Sequence, residues 1–486
     1  MTRARHCPAP TLEFAMHAFT RLVCVFALTV VSGSSAGAQV TVLRGATLID
    51  GTDRGPLANA AVVVKNGWIT AVGPSAEVKV PAGAKVVDLR GKYLLPGFIE
   101  MHGHVAIGAW EIDSSGPKRK LVYAYDDLAS QELTKSQLAF GITTVRNPAA
   151  PTREGVELRN RVRRGELVGP RIITSGAPLD SPGPNTAIDP VASPEDARKA
   201  VDAQAAAGVD FIKVYSGLTA DQVAAAVDEA HKLGLKVVGH LWKTRWTDAA
   251  NARIDGITHI IVNNADLLPP SKREEYAKSG NSLFMYEWFR LADFDGPEIK
   301  EMIQAVVANR VTIDPTLVAF EGTAWYDDPE FYGKEADTFV PPTFLAKWNM
   351  MNSLRGWSAD DYKRARASFP KMQELAKRLF QAGVTLTVGV DHANPWMFHR
   401  ELELLSGAGI PNADVIRMAT RNGAIGLGLT SEIGTVEAGK RADMVVLDAD
   451  PIADIKNSRR ISWVVLGGKV ARPSASLPLR LTKNGG

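Results

Sequence analysis

The stretch from Ser193 to His240, SPEDARKAVDAQAAAGVDFIKVYSGLTADQVAAAVDEAHKLGLKVVGH, alternates helical and strand patterns and decides the fold class. Ser193, followed by a proline and two acids, predicts a helix N-cap, and Gly208 predicts the end of that helix. Residues 209–215 are then rich in β-branched and aromatic side chains, as in a strand. Thr219 opens a second capping box, and the helix after it leads to a strand that ends at His240.

The same alternation continues through the middle of the chain. Eight candidate strands lie near residues 94–104, 143–148, 171–176, 211–215, 236–240, 257–261, 312–317 and 385–391. Strands that alternate with helices form parallel sheets, and eight such strands close into a barrel. The sequence therefore predicts an α/β fold, a (β/α)8 TIM barrel.

After a short leader, the N-terminal part of the chain contains strand patterns, and so does the C-terminal part. Asn66-Gly67 lies between two β-favouring runs and is a strong hairpin signal, because both turn positions require positive φ. Residues 442–448 and 461–470 are two further strand patterns. Neither end has enough strands for a stable sheet, so we expect the two ends to meet in a small β-sandwich domain. The predicted boundaries are 39–93 and 429–486 for the β-sandwich domain and 94–428 for the hydrolase barrel.

Residues 1–38 have the pattern of a signal peptide. Arg21 precedes the apolar run 22–31, and small residues lead to a predicted cleavage site after Ala38. The apolar run is shorter than the roughly 20 residues that span a bilayer. We therefore expect an exported protein, periplasmic or extracellular, with no membrane attachment after cleavage. The alternative is a buried N-terminal helix.

Composition and motifs exclude several classes of function. The formal net charge is only +3 and no basic cluster stands out, so nothing favours nucleic acid or an anionic membrane as partner. Cys7 and Cys24 both lie in the leader, which leaves no thiol nucleophile in the mature chain. Walker and G-x-S-x-G motifs are missing, and Gly426-Leu-Gly428 lacks the third glycine of a dinucleotide fingerprint. We therefore expect the partner of this protein to be a small-molecule substrate. The sequence is compatible with a homo-oligomer and does not decide the oligomeric state.

Metal-binding residue types lie at the predicted C-terminal ends of five strands. They are His102, His104, Lys213, His240, His259 and Asp391. Barrel enzymes place their chemistry at this end of the strands, and alternate residues of one strand, such as the first two histidines, face the same way. Each residue alone would more often be structural. Six of them on five strand ends predict a metal centre.

Lys213 lies between apolar residues of a strand predicted to be buried. A buried lysine is costly unless it is neutral or paired with an acid. One interpretation is a structural ion pair. The other is a neutral amine that reacts with carbon dioxide, giving a carbamate whose two oxygens can bridge two cations.

The segment 320–370 follows the seventh predicted strand and is rich in aromatic residues. A long segment in this place lies on the catalytic face, where it can cover a ligand as a lid. The alternative is a helical insertion with its own small core. His392 and His399 follow the eighth strand and are candidates for substrate contact rather than metal ligands, and His231 is expected to be solvated on a helix.

Two motifs make the chain resemble the amidohydrolase superfamily over approximately residues 40–475. Residues 95–104, LPGFIEMHGH, resemble its first-strand motif, and residues 431–448, SEIGTVEAGKRADMVVLD, resemble its C-terminal motif. Within the superfamily, the chain is most similar to the imidazolonepropionase-related group with prolidase-like members. Imidazolonepropionase itself has one metal and lacks the lysine. Prolidase-like members carry a Gly-Gly step after the lysine, where this chain has Tyr215-Ser-Gly-Leu-Thr, so dipeptide specificity does not follow.

The resemblance implies a binuclear centre. It assigns His102, His104 and Asp391 to one metal and His240 and His259 to the other, with a carbamate on Lys213 between them. Two divalent ions are implied; zinc is the default for mixed nitrogen and oxygen ligands, and manganese, iron or cobalt also fit.

The implied reaction is hydrolysis of a carbon–nitrogen bond in an amide, a cyclic amide, an N-acyl amino acid or a dipeptide. Metal-activated hydroxide is the nucleophile, and Asp391 acts as base and then as acid. One alternative is the same site acting on a lactone or a phosphotriester. Another is a catalytically inactive scaffold, against which the intact ligand set argues.

We expect the exported protein to begin at Gln39-Val40-Thr41, because the small-residue stretch before it fits a signal-peptidase site. N-terminal sequencing of protein from the periplasm or the medium checks this prediction. A cytoplasmic protein that keeps its intact leader would contradict it.

Overall fold

The structure of the protein is a computed structural model. The structure describes residues 40–113, 120–183, 187–280, 283–328, 330–331 and 356–471. Within these ranges, no helix is both long enough and apolar enough to cross a bilayer.

Strands and helices alternate through most of the described chain. The strands are β1 (Val40–Leu48), β2 (Leu57–Lys65), β3 (Trp68–Pro74), β4 (Lys85–Asp88), β5 (Tyr93–Pro96), β6 (Phe98–Glu100), β7 (Gly108–Asp113), β8 (Lys120–Tyr125), β9 (Ile142–Asn147), β10 (Arg171–Thr174), β11 (Leu179–Asp180), β12 (Asp189–Pro190), β13 (Phe211–Val214), β14 (Lys236–Gly239), β15 (Gly256–Thr258), β16 (Thr312–Asp314), β17 (Met444–Leu447), β18 (Ile461–Leu466) and β19 (Lys469–Ala471). The α-helices are α1 (Asp127–Ala139), α2 (Thr152–Arg163), α3 (Pro194–Ala206), α4 (Ala220–Lys232), α5 (Trp246–Asn251), α6 (Pro270–Ala277), α7 (Phe284–Leu291), α8 (Pro297–Ala308), α9 (Leu317–Ala324), α10 (Ala359–Gln381), α11 (Trp396–Gly407), α12 (Asn412–Arg417) and α13 (Gly423–Leu427).

Strands from both ends of the chain share one sheet, in the order β19-β18-β17-β5-β1-β2-β3 with β4 beside β1. The turn at Asn66-Gly67 joins β2 to β3 and has positive φ at both residues, as the sequence predicts. Apolar residues from the two ends form its core, for example Val62 and Met444. Hydrogen bonds join all eight strands into one sheet, and its folding into the two layers of a sandwich stays a prediction.

The central strands are parallel, in the sets β10-β9-β6 and β12-β11-β13-β14-β15-β16. The eighth predicted strand is present only as isolated bridges, Ile313 with Leu386 and Gly103 with His392. It nevertheless bonds to both neighbours: the Thr387 amide donates to the Ile313 carbonyl at 2.8 Å, and the Asp391 amide donates to the His102 carbonyl at 2.9 Å. The predicted parallel α/β arrangement is therefore present.

The predicted first central strand, residues 94–104, begins too early. Tyr93–Pro96 pairs with β1 and β17 in the terminal sheet, and only Phe98–Glu100 pairs with β9. Gly97 joins the two, and a Cβ there would lie 2.1 Å from Oγ1 of Thr143, so the chain passes closely against the second central strand. The apolar pattern runs unbroken across this crossing, which is why sequence periodicity missed the boundary.

Two predicted helix starts have the expected caps. Ser193 accepts a hydrogen bond from the Asp196 amide, and Thr219 forms a reciprocal capping box with Gln222. α3 leads into β13, which carries Lys213, and α4 connects β13 to β14, which ends beside His240, so the capped helices flank two strands of the candidate site.

The aromatic segment 320–370 begins within α9 and ends within α10. Trp325 stacks on Phe331 with ring centroids 4.9 Å apart, and Trp357 packs against Tyr286 at 5.5 Å. Residues 329 and 332–355 lie outside the described residues. The lid therefore stays a prediction.

Candidate metal centre

Three predicted ligands meet at the ends of the first and eighth strands. His102, His104 and Asp391 each offer one ligand atom, and these atoms all lie within 4.8 Å of one another. Nε2 of His104 is 2.8 Å from Oδ1 of Asp391, and Nε2 of His102 is 3.2 Å from the same oxygen. Two imidazoles and a carboxylate at this spacing form a donor set that suits a divalent transition metal.

Backbone pairing brings these side chains together. The Gly103 amide donates to the Arg146 carbonyl at 3.0 Å, so His102 and His104 lie on either side of a residue fixed to β9. Gly389 lets the eighth strand approach, because a Cβ there would lie 2.8 Å from Cβ of His102 and 3.1 Å from Cβ of Asp314. A larger residue at position 389 would force these strand ends apart.

His240 and His259 extend the cluster from the ends of β14 and β15. Their ring centroids lie 4.4 Å apart, and the rings of His102 and His259 lie 4.8 Å apart. The His240 amide donates to the Val214 carbonyl at 3.1 Å, and the His259 amide donates to the Asp314 carbonyl at 2.8 Å. The structure thus brings all four predicted histidines into one group.

His240 has an unusual environment for a histidine. Both of its ring nitrogens are buried and have no hydrogen-bond partner among the described residues. Burial, reinforced by the nearby Lys213, lowers the pKa of His240 to about 3, and burial also lowers the pKa of His259 well below its usual value. Both rings are therefore neutral, the form that binds metal, and an orphaned buried nitrogen is what a missing ligand contact leaves behind.

Asp391 carries the charge of the cluster. Burial raises its pKa, but the surrounding imidazoles of His102, His259 and His104 outweigh this and hold the pKa well below its usual value. Its side chain keeps about a third of its surface exposed, at 33%. Asp391 is therefore an accessible carboxylate, able to accept a proton as well as to bind a cation.

Lys213 is buried in β13, with 1% of its surface exposed. Its Nζ donates to Oγ1 of Thr258 at 2.8 Å, and it makes no ion pair with an acid in the part of the chain that the structure describes. Burial lowers the pKa of Lys213 to about 7; among its charged neighbours Asp314 raises the pKa and Arg146 lowers it. A structural ion pair, one of the two interpretations of this lysine, is thus not found within the described residues.

Strained backbone marks the same strand ends. His259 has φ 71°, Thr316 has φ 49° and Asp391 has φ 53°, all in the left-handed region. Such conformations cost of the order of 1–3 kcal/mol for residues with a Cβ and persist where the surroundings impose them, commonly at functional sites. Nδ1 of His259 also lies 2.8 Å from Oγ1 of Thr316, so the two strained residues support each other.

Sequence reasoning missed two charged residues below the cluster. Arg146 in β9 and Asp314 at the end of β16 form an ion pair with an Nη2–Oδ1 distance of 2.5 Å and side chains that are each 2% exposed. The signal was available, because Arg146 interrupts the strand pattern ITTVRN just as Lys213 interrupts its own. A charge in a buried strand needs a partner.

Among the residues that the structure describes, three further histidines lie outside this ligand group. Nε2 of His231 lies 2.9 Å from Oδ2 of Asp255, so this ring has a partner rather than only solvent. His399 is buried, with Nδ1 2.9 Å from Oγ of Ser458, and packs against Phe98 and Phe398, away from the strand ends. His392 is buried next to Asp391, and its Nδ1 accepts a hydrogen bond from the Asn394 amide.

Aromatic side chains border the His240 side of the cluster. Tyr215 lies 4.6 Å and Trp242 5.3 Å from the His240 ring, and Phe284 packs edge-on against Trp242 at 5.6 Å. Trp242 is 40% exposed, which is unusual for so large an apolar side chain. The open surface beside the cluster is therefore apolar on this side.

Parallel strands with histidines, a lysine and an acid at their C-terminal ends define the hydrolase class to which the protein belongs. A model of the amidohydrolase family matches residues 93–471. The chain is therefore a member of the amidohydrolase family and a hydrolase.

Solved structures of prolidase-like amidohydrolases share the fold. A protein assigned as a prolidase from Bifidobacterium longum is 25% identical, with a TM-score of 0.65 over 90% of this chain and 95% of that chain. A Xaa-Pro dipeptidase with bound methionine is 19% identical, with a TM-score of 0.65 over 89% of this chain and 100% of that one. The resemblance to a prolidase-like group is confirmed, and these neighbours imply a TIM-barrel-like α/β fold.

Curated relatives match only short segments. A 5-methylthioadenosine/S-adenosylhomocysteine deaminase of Moorella thermoacetica is 37% identical over 84 residues, 15% of this chain and 20% of that protein. An N-substituted formamide deformylase of Arthrobacter pascens is 43% identical over 56 residues, 11% of this chain and 10% of that protein. The matched part thus spans a fifth or less of these relatives.

We expect His240→Leu to cost little stability without metal. The substitution loses the packing of the ring but also removes two buried nitrogens that have no hydrogen-bond partner among the described residues. Removing an unpaired buried polar group stabilises the folded state by about 1–3 kcal/mol, which offsets the lost packing. Zinc should raise the free energy of unfolding of the wild-type protein. It should raise that of His240→Leu by less, because the variant lacks one metal ligand. Urea unfolding with chelator and with zinc measures both effects.

The matched control is His399→Leu. His399 is also buried among aromatic rings, but only its Nε2 lacks a partner, whereas its Nδ1 is bonded to Oγ of Ser458. This variant should lose metal-free stability and keep its zinc-induced gain. A His240→Leu protein with the full zinc-induced gain would remove His240 from the ligand set.

Proposed function

We propose that the protein is an exported, metal-dependent amidohydrolase that cleaves the carbon–nitrogen bond of an amide, a cyclic amide, an N-acyl amino acid or a dipeptide. The site is proposed to lie at the C-terminal ends of the strands of a closed (β/α)8 barrel, residues 94–428, with a β-domain from 39–93 and 429–486. One observation supports this proposal most strongly: four histidines, a carboxylate and a buried lysine lie in one group. The lysine has no acid partner among the described residues.

The residues present fit two divalent ions. His102, His104 and Asp391 would hold one, and His240 and His259 the other, with Lys213 between the two sets as a carbamate. A neutral Lys213 amine forms that group when its nitrogen bonds the carbon of carbon dioxide and releases one proton. Bound ions of this kind lower the pKa of water towards neutrality and polarise a carbonyl, and zinc is the first candidate.

The chain itself supplies proton transfer. Asp391 is ionised and partly exposed, so its carboxylate can take the proton that attacking water loses. Oxygen from that water bonds the carbonyl carbon, the carbon–nitrogen bond breaks, and the leaving nitrogen receives the proton from Asp391. Nε2 of His102 and Nε2 of His104 lie 3.2 Å and 2.8 Å from Oδ1 of this carboxylate.

The names of several relatives support the choice of bond. The matched proteins include a deaminase, a deformylase and a dipeptidase, each named for cleavage at nitrogen. The loop after Lys213 reads Tyr215-Ser-Gly-Leu-Thr, without the Gly-Gly step of prolidase-like members, so N-acyl amino acids and cyclic amides stand beside dipeptides as substrates. Export is proposed on the leader pattern of residues 1–38.

A substrate panel tests the class of bond. Metal-loaded enzyme should hydrolyse one or more of N-acyl amino acids, dipeptides and cyclic amides, because the general acid Asp391 serves a nitrogen leaving group. Comparison of kcat/KM across the panel, with lactones and phosphotriesters included, gives the answer. A higher kcat/KM for a lactone or a phosphotriester than for every amide would refute the proposed bond.

Lys213→Ala tests the bridging role. We expect metal content to fall from about two ions per chain and turnover to fall with it, because a bridging ligand is lost. A short-chain carboxylate such as acetate should restore part of both, since it fits the gap and offers the same two oxygens. Elemental analysis and turnover, each with and without acetate, provide the measurement.

Lys213→Met is the matched control. Methionine fills the space of the lysine side chain but offers no oxygen ligand. The variant should therefore lose metal and activity as Lys213→Ala does, but acetate should restore neither, because no gap is left for it. Either variant retaining the wild-type metal content and normal turnover would exclude the carbamate as a ligand. If that wild-type content is one ion per chain, a mononuclear site on His102, His104 and Asp391 is the better account.

A further inference from the structure

We propose that Asp314, held by Arg146, is a positioning residue that sets the ring orientation and tautomer of His102 for metal binding. The inference rests on the proposed metal centre and concerns residues outside the ligand set. It is drawn from hydrogen bonds that link three buried side chains at the ends of three different strands.

The contacts form a continuous chain. Nε of Arg146 donates to the Met101 carbonyl at 2.5 Å, and its Nη2 donates to Oδ1 of Asp314 at 2.5 Å. Oδ2 of Asp314 lies 2.9 Å from Nδ1 of His102. All three side chains are almost fully buried, with exposures of 2%, 2% and 3%. Solvent therefore cannot substitute for any of these contacts.

The chemistry of the partners fixes the direction of the last bond. A carboxylate paired with a guanidinium can only accept, so Nδ1 of His102 carries the hydrogen and donates to Asp314. The Nε2 lone pair is then free, and this is the atom 3.2 Å from Asp391. Histidines that bind metals commonly have such an acceptor on the other ring nitrogen, which orients the ring and raises its basicity.

Asp314 also reaches the other half of the site. Its backbone carbonyl accepts the hydrogen bond from the His259 amide at 2.8 Å, at a residue with φ 71°. One residue at the end of β16 thus orients a side chain of one proposed metal set and the backbone of the other. Gly389 leaves room for the side chain of Asp314, because a Cβ at position 389 would lie 3.1 Å from Oδ2 of Asp314.

A buried ion pair is weak support for stability by itself, since the cost of removing both charges from water can exceed their attraction. Arg146 and Asp314 could be replaced by apolar residues if packing were their only role. Their contact with a candidate ligand gives them a function that an apolar pair could not perform.

Asp314→Asn is the test, because it keeps the shape of the side chain and removes the acceptor charge. We expect the affinity of the folded protein for zinc to fall by about 10–100-fold. Competition with a chromophoric chelator measures this affinity directly, without any substrate. Circular dichroism and urea unfolding of the metal-free protein report the structural effect separately.

The matched control is Asp210→Asn. Asp210 pairs with the buried Arg159 at 2.8 Å at the start of β13, away from the strand ends that carry the ligands. It should lose stability and keep wild-type zinc affinity. If Asp314→Asn loses stability in the same way but binds zinc as tightly as wild type, the positioning role is overturned.

Two further measurements keep the outcome decisive. If Asp314→Asn does not fold, Arg146→Lys replaces it. Lysine keeps a cation beside the carboxylate but loses the second bond of Arg146, to the Met101 carbonyl, so Asp314 is held less firmly, and unchanged zinc affinity would overturn the inference. Wild-type protein is titrated first. A wild type that binds no zinc, manganese, iron or cobalt refutes the metal centre itself, whereas a binding wild type with an equally binding variant refutes only the role of Asp314.

Discussion

The site depends on one set of backbone hydrogen bonds, those of residues 385–391. On one side this segment bonds to Ile313 in β16, and on the other the Asp391 amide donates to the His102 carbonyl. These bonds bring Asp391 next to His102 and His104, although His104 and Asp391 are 287 positions apart in the chain. Without them the carboxylate would have no histidine within reach.

Burial then decides the charge state of what these bonds assemble. Buried histidines stay neutral and the buried lysine loses much of its preference for the charged form, because desolvation penalises charge. Burial also raises the pKa of Glu100, which accepts a hydrogen bond from the His102 amide, to about 8. Asp391 keeps its charge because the histidines surround it. One ionised carboxylate among neutral nitrogen donors is an arrangement that favours a cation.

The surroundings of the cluster differ on its two sides. Charged residues, Arg146 and Asp314, lie buried beneath it and hold His102. Apolar rings, Tyr215, Trp242 and Phe284, lie beside His240, with Trp242 open to solvent. The buried charged residues and the apolar rings therefore contact different histidines of the cluster, so either group can be altered without touching the other.

The sequence by itself determined the parallel α/β class, the caps of α3 and α4, the hairpin at Asn66-Gly67 and all six candidate ligands. These follow from local rules: strand and helix periodicity, capping residues, and the cost of a histidine, lysine or acid at a buried strand end. The tertiary structure alone decided that Tyr93–Pro96 belongs to the terminal sheet, that Lys213 contacts Thr258 rather than an acid, and that Asp314 accepts from His102. Each of these depends on which residues from distant parts of the chain meet, and side-chain pairing over such separations leaves no local pattern in the sequence.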